Sequence, residues 1–327
     1  MSPVSRRTVL MSATAALGAA AARPASTQEA YPSRPVRMVV PWAPGGAVDT
    51  VARRVAQKLA EQTGQPFVVE NKAGATGTIG AAEVARARPD GHTLLAMDNT
   101  YAMLPYLFNR LPFDHAKAFQ PVTVSAFSPV LLAVGRASPF ATLGALVEAA
   151  KKEPEKVTYG TGGVGSAPHF ATAAFQQAAG IKLYHEPYKG AGEAVTAALG
   201  GQVDMVIVSP GSALGNIQGG LLRPLAISGG HRSSALPDTP TFAEAGLPGF
   251  GVVNWSGLAV PRGTPAPVVE KLHAEVVRAL ATPDVKEFLD SLASEPGGMP
   301  PADFTRLLAE ETERWRKVAA EGQIERQ

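Results

Sequence analysis

The stretch Val36-Arg37-Met38-Val39-Val40-Pro41-Trp42-Ala43-Pro44-Gly45-Gly46-Ala47-Val48-Asp49 decides how this chain reads. Its first five residues are rich in valine and read as a strand. From Asp49 onward, Val51, Ala52, Val55, Ala56, Leu59 and Ala60 recur at helical spacing, and Gly64 suits the position just past a helix end. Between strand and helix lies a turn with two glycines. Such a turn lets a ligand approach the backbone closely, above all if Gly46 must adopt a positive φ. The helix start beyond it offers free N–H groups at the positive end of the helix dipole. This is an anion site built from backbone, with Trp42, Ala43, Gly45, Gly46 and Asp49 as its candidate residues. The plainer reading is a tight connection in which Asp49 is a first-turn acid favoured by the dipole. Both readings stand at this point.

Working outward, the same unit recurs. Phe67-Val68-Val69 and Thr93-Leu94-Leu95-Ala96-Met97 read as strands, with a helix over 78–88 between them. Further on, the pattern predicts a helix over 143–152, a strand at Val157-Thr158-Tyr159, and a helix over 167–179. Strands follow at 183–185, 203–208, 225–227 and 255–260, with helices near 193–199 and 212–218. Beyond 260 the pattern is helical, over 267–280, 285–292 and 302–320. Alternating short β and α elements predict an α/β chain with parallel sheets covered by helices on both faces. At roughly 150 residues per domain, 327 residues suggest two. A crossing topology assigns 31–131 with 252–327 to lobe 1 and 132–251 to lobe 2.

A second glycine-rich turn, Gly160-Thr161-Gly162-Gly163-Val164-Gly165-Ser166-Ala167-Pro168-His169, also leaves a strand and opens a helix. Ser166 suits the N-cap and Pro168 the first turn. Thr161, Gly165, Ser166 and His169 are candidate ligand contacts. His169, near the positive helix end, is expected to be neutral, and a packed or capping imidazole is at least as good a reading of it. Gly160, Gly162 and Gly165 also satisfy G-x-G-x-x-G, and Glu186 follows at about 20 residues, the acid spacing of dinucleotide sites. An exported dinucleotide-dependent oxidoreductase is therefore the rival reading. Other enzyme signals are poor: there is no H-E-x-x-H, no G-x-S-x-G, and the six histidines are scattered singly.

The N-terminus reads as a signal peptide over residues 1–27. Ser5-Arg6-Arg7-Thr8-Val9-Leu10 fits a twin-arginine pattern, and an Ala-rich run too short for a membrane span ends near Ala22. Removing it takes three of 30 basic residues and none of 28 acidic ones, leaving a net charge of −1. Near neutrality without basic blocks argues against nucleic acid and against a polybasic membrane anchor. The absence of cysteine excludes disulfides, thiolate metal sites and a lipid-anchoring cysteine. A soluble, unanchored export product belongs in the periplasm of a two-membrane cell.

Many short motifs, in order along the mature chain, resemble the Bug family, the receptors of tripartite tricarboxylate transporters. They include Tyr31-Pro32-Ser33-Arg34-Pro35, Val40 to Gly46 with Asp49, Val69-Glu70-Asn71-Lys72-Ala73-Gly74, and Pro89-Asp90-Gly91-His92-Thr93-Leu94-Leu95. Tyr159 to His169, Pro187-Tyr188-Lys189-Gly190, Gly200-Gly201-Gln202-Val203-Asp204, Leu236 to Thr241 and Pro261-Arg262-Gly263-Thr264-Pro265 continue the series. The resemblance implies a type II periplasmic-binding-protein fold, with a small carboxylate held between the two glycine turns. It implies no catalysis and no cofactor, and a membrane transporter as partner; we expect a monomer. It brings Asp204 and Ser209 into the candidate site, because the family often carries a second acid after Asp204 where this chain has Val208-Ser209. It also singles out Asp98-Asn99-Thr100, where the family often has small and hydroxyl residues. Asp98 then either faces the ligand, accepting a donor or repelling a further carboxylate, or caps the next helix.

Overall fold

A computed structural model describes residues 31–322 and residue 326; the expected leader lies outside the described residues. The opening stretch forms β1 (Val36–Val40) and α1 (Ala47–Thr63), as its spacing predicts. Val51, Ala52, Val55, Ala56 and Leu59 are buried along one face, and Gly64, at φ 71°, ends the helix by donating its N–H to Ala60 O. Next come β2 (Phe67–Asn71), α2 (Thr78–Ala85), β3 (Thr93–Asp98), α3 (Thr100–Leu107), β4 (Phe119–Pro129) and β5 (Leu131–Gly135). The middle of the chain holds α4 (Leu143–Lys152), β6 (Thr158–Thr161), α5 (Ala167–Ala179), β7 (Tyr184–Pro187), α6 (Ala191–Leu199), β8 (Met205–Val208), α7 (Leu214–Gln218) and β9 (Leu222–Ile227). The last part is β10 (Val253–Pro261), α8 (Ala266–Leu280), α9 (Pro283–Ser291), β11 (Glu295–Pro296) and α10 (Pro301–Glu321).

These elements build two sheets, ordered β11-β4-β10-β3-β1-β2 and β7-β6-β8-β5-β9. The expectation of all-parallel sheets needs correcting, because both are mixed. β1 runs parallel to β2 and β3, and β6 parallel to β7 and β8. β10 is antiparallel to β3 and β4, and β5 is antiparallel to β8 and β9. The cause is the way the chain changes sheets. It passes from β4 straight into β5 and returns from β9 to β10 through residues 228–252, which form turns but no helical crossover to restore the strand direction. The two passages touch: Val130 N–H donates to Ser228 Oγ at 2.8 Å, and Ser228 N–H donates to Val130 O at 2.8 Å.

α1 and α8 cover one face of the first sheet, while α2, α3 and the start of α10 cover the other, with Phe304 edge-on to Trp255 at 5.1 Å. α4 and α5 cover one face of the second sheet and α6 the other. α10 spans both units. Further along it, fully buried Trp315 meets Phe170 of α5 at 5.5 Å.

Candidate functional site

In each sheet one parallel strand, β1 in the first and β6 in the second, ends at a glycine turn, and the same ends of the two sheets meet through side chains. Asn99, just past β3, donates from Nδ2 to Asn254 Oδ1 of β10 at 2.9 Å. Asn254 Nδ2 in turn reaches Ser209 Oγ, just past β8, at 3.5 Å. This polar string forms the floor between the units, with Asn99 buried and Ser209 half-buried.

The first turn is held by ions and amides. Asp49 is buried, and its carboxylate accepts Gly45 N–H at 2.9 Å, Arg53 Nε at 3.0 Å and Asn71 Nδ2 at 2.8 Å. Burial would raise its pKa, but Arg53, the Gly45 amide and Asn71 outweigh that and hold it below the usual carboxylate range. Asn71 also donates to Trp42 O at 3.0 Å, so one side chain ties both ends of the turn. The left-handed residue is Gly45, at φ 84°; Gly46 sits at φ −72° and does not need glycine's freedom. Gly46 caps α1 without a side chain. Consequently the amides of Gly46, Ala47, Val48 and Asp49 have no hydrogen-bond partner among the described residues. Ala43 to Ala47 are exposed, so these donors look outward.

The second turn is held by neutral groups. Gly163 N–H donates to Thr161 Oγ1, which also meets His185 Nε2 at 2.7 Å. Gly165 N–H donates to His169 Nδ1 at 3.1 Å, and the His169 and His185 rings stack at 4.3 Å with Tyr159 beyond. Burial, then the neighbouring His185, pushes the His169 pKa down to about 4. The ring is neutral, as expected, although burial rather than the helix dipole is the cause. Ser166 caps α5, accepting His169 N–H while donating to Gly163 O. Within 163–169 the amides of Val164 and Ala167 are left without a partner among the described residues. The glycines of the dinucleotide pattern serve packing. A Cβ at Gly162 would come within 3.1 Å of Ala191 N, and one at Gly160 within 3.2 Å of Ala194, so the close approach they permit is to α6.

Asp98 takes the helix-start role: its Oδ1 accepts Thr100 N–H at 3.1 Å at the start of α3. The residue, half-buried overall, also stands with Trp42 and Thr100 around a small, mostly apolar pocket. Burial pushes its pKa up to about 6, against the opposing pull of Thr100 and Trp42. The Trp42 indole lies close enough to favour the ionised carboxyl, yet its buried Nε1 forms no well-aligned hydrogen bond.

Several candidate residues are corrected by these positions. Asp204 lies at the start of β8, the end away from the turns, where it accepts Thr158 N–H and Oγ1 at 2.8 and 2.9 Å and ties β8 to β6. Asp49, Thr161 and His169 stand behind the turns and brace them, because all their described polar contacts are internal. Trp42, Ala43, Gly45, Gly46, Asp98, Gly165, Ser166 and Ser209 lie at the facing strand ends, with Asn99 and Thr100 buried just beneath. Sequence reasoning missed Arg53, Asn71, His185 and Asn254. Asn71 stands in the motif Val69 to Gly74, but nothing in a strand pattern shows that its amide reaches back to another turn.

Among the described residues no group of three His, Asp or Glu side chains is placed to hold a metal ion, and no helix is long and apolar enough to cross a membrane. Residues 51–323 match the family described as the tripartite tricarboxylate transporter family receptor. A Pseudomonas sp. (strain P51) protein, the UPF0065 protein in the tcbD-tcbE intergenic region, is 40% identical over 97% of this chain and 95% of its own. The structure of R. palustris Rpa4515 with adipate superposes with a TM-score of 0.81 at 33% identity, covering 91% of this chain and all of that one. MatC from Rhodopseudomonas palustris, with bound malate, gives 0.76 at 35% identity, over 88% and 99% of the two chains. The fold is thus the two-lobed periplasmic-binding fold, and the chain belongs to the receptor family of the tripartite tricarboxylate transporters.

Proposed function

We propose that this protein is a periplasmic receptor that captures a small carboxylate between its two glycine turns and hands it unchanged to membrane subunits of a tripartite tricarboxylate transporter. The observation that carries the reading is the pairing of unpartnered amides. Four stand at the start of α1, and those of Val164 and Ala167 stand in the second turn, all at the facing ends of the sheets. Backbone donors fixed at helix starts recognise anions without the cost of desolvating a lysine or arginine. Relatives with adipate and with malate support a carboxylate as the ligand. The lobes are residues 31–131 with 252–327, and 132–251, and ligand closes them by its higher affinity for the closed state. The protein works as a monomer, exported by the twin-arginine leader. The packing of Gly160 and Gly162 against α6 speaks against a dinucleotide at that turn.

The test is calorimetry against mono-, di- and tricarboxylates, with recovery of the bound acid and analysis by mass spectrometry. Binding of one acid, recovered intact, supports the reading. A retained flavin or nicotinamide dinucleotide, or a chemically altered acid, contradicts it.

A further inference from the structure

The second turn is held from behind, and the groups that hold it are not closed off. The rings of Tyr159, His185 and His169 stack in one column, with centroids 4.8 and 4.3 Å apart. All three line a cavity of about 780 Å³, within the roughly 300–1,000 Å³ typical of small-molecule sites. It is walled by α5, β7 and the end of α10, and none of Gly160 to Ser166 borders it. His169 is only 9% exposed, and its Nδ1 accepts Gly165 N–H at 3.1 Å. With a pKa of about 4 the ring is neutral at pH 7.5, and a neutral imidazole that accepts at Nδ1 carries its hydrogen on Nε2. That Nε2–H has no hydrogen-bond partner among the described residues. Unlike Trp42 Nε1 and His92 Nε2, it is not sealed in.

The cavity's other walls are apolar, with Ala173, Ile181, Leu183 and Val318 all buried. At its rim stand Lys151 and Lys182, both exposed and in no ion pair among the described residues. Glu155 and Glu321 share the rim, Glu321 accepting a hydrogen bond from Gln177. A buried donor asks for an acceptor, and free ammonium groups at the mouth favour a negative one. The two rim acids oppose a second negative charge.

We propose that this cavity is a second binding site, separate from the cleft, for a monocarboxylic acid with an apolar body. The carboxylate accepts from His169 Nε2–H, and the body lies along Ala173, Ile181 and Leu183. A carboxylate on Nε2 makes Nδ1 a better acceptor and so tightens its hold on Gly165 N–H. His185 borders the same cavity, and its Nε2 meets Thr161 Oγ1, the acceptor of Gly163 N–H. An acid here therefore stiffens the second turn from outside the cleft. The site needs no ligand in the cleft.

The test uses hexanoate, with hexylamine as the same body bearing a positive charge and adipate as the body with two carboxylates. Each is titrated into the wild type at pH 7.5. Nuclear magnetic resonance follows the imidazoles of His169 and His185 and the amides of Gly165, Ala47 and Val48. Hexanoate should move His169, His185 and Gly165 and slow hydrogen exchange at Gly165 about threefold or more, while Ala47 and Val48 stay in place. At His169, adipate should bind about threefold and hexylamine about tenfold more weakly. Reversing the rim, Lys151→Glu with Lys182→Glu, should weaken hexanoate about fivefold. Ala173→Leu, which fills the cavity, should abolish the response. The inference is overturned if His169 does not respond to hexanoate, or if hexylamine binds as tightly. It is also overturned if both variants bind like the wild type, or if Ala47 and Val48 follow His169 with one dissociation constant, which places the acid in the cleft. A protein that binds acids in the cleft but not here keeps the receptor reading and loses only this one.

Discussion

The two glycine turns share a sequence pattern and differ in how they are held. The first is braced by a buried ionic knot of Asp49, Arg53 and Asn71, and it leaves four successive amides free. The second is braced by neutral imidazoles, a hydroxyl cap and close packing, and most of its own donors are spent inside it. The difference lies in what stands behind the backbone. A carboxylate behind the first turn takes only the Gly45 amide and leaves the helix start open to an external anion. In the second turn Ser166 and His169 take amides that an external anion would otherwise receive, and Pro168 has none to offer. If the proposed function holds, the first turn is the one with more open donors for an anion, and the second offers fewer, in a more rigid frame.

The largest effect should come from breaking the ionic knot. Asp49→Ala leaves Arg53, Asn71 and the Gly45 amide without their acceptor, and should cost about 3 kcal/mol of stability. Carboxylate affinity should fall at least a hundredfold, because the free amides lose their fixed directions. Denaturant unfolding and calorimetry measure the two losses. A stable variant with unchanged affinity would remove the distinction between the turns. In the second turn the matching lesion is steric. Gly165 sits at φ 77°, and a Cβ there would lie 2.7 Å from Leu107 Cδ2 on α3. Gly165→Ala should therefore cost about 2 kcal/mol, with a smaller loss of affinity than Asp49→Ala.

The pH dependence of stability should separate two titrating groups, one near each turn. His169 has a folded pKa of about 4, below its ordinary value near 6.5, so the unfolded chain takes up its proton first. Its contribution, about 3 kcal/mol, is lost as pH falls from 6.5 toward 4. Asp98 has the opposite sign. Its folded pKa of about 6 lies above the ordinary carboxylate value of 3.8, so it costs stability as pH rises between those values. Melting curves should show His169→Gln flattening the acid limb, and Asp98→Asn raising the melting temperature at pH 7.5 but not at pH 3.5. An unaltered acid limb in His169→Gln would mean that burial does not hold the imidazole neutral in the folded chain.

The smallest contrast lies within the first turn. Gly45→Ala forces an L-residue to a positive φ and should cost about 1 kcal/mol. Gly46→Ala meets only Ala43 O, at 3.7 Å, and should leave stability within about 0.5 kcal/mol. Equal losses at both positions, by chemical unfolding, would show that the turn is not fixed by Gly45.

What the sequence displayed and what it hid follow from the range of the forces involved. Helix starts and stops are local, so α1 with its Gly64 end, α4, and α5 with its Ser166 cap lie close to where spacing and cap residues put them. The run Phe119 to Gly135 forms two strands to which the sequence reading assigned no element, and it holds two prolines, residues that sheets tolerate only at special positions. Pro121 is accommodated opposite Ala259, where the β4–β10 register shifts, and Pro129 at the passage between the sheets. Nor did the pattern show strand direction, since antiparallel β10 returns from the other sheet. At the site, both turns were visible as glycine strings entering helices. The roles of Asp49, Thr161, His169 and Asp204 were not, because whether a polar side chain points at a ligand or at its own turn depends on partners such as Asn71 and His185 that lie 16 to 24 residues away.

The central claim is that both turns hold one acid together. It is tested by following the backbone amide resonances of Gly46, Ala47, Val48, Asp49, Val164 and Ala167 by nuclear magnetic resonance, while titrating the acid that binds most tightly in calorimetry. The account predicts that the two groups of resonances move together and saturate at one equivalent with a single dissociation constant. Movement confined to one turn, or to neither while heat still reports binding, would contradict it.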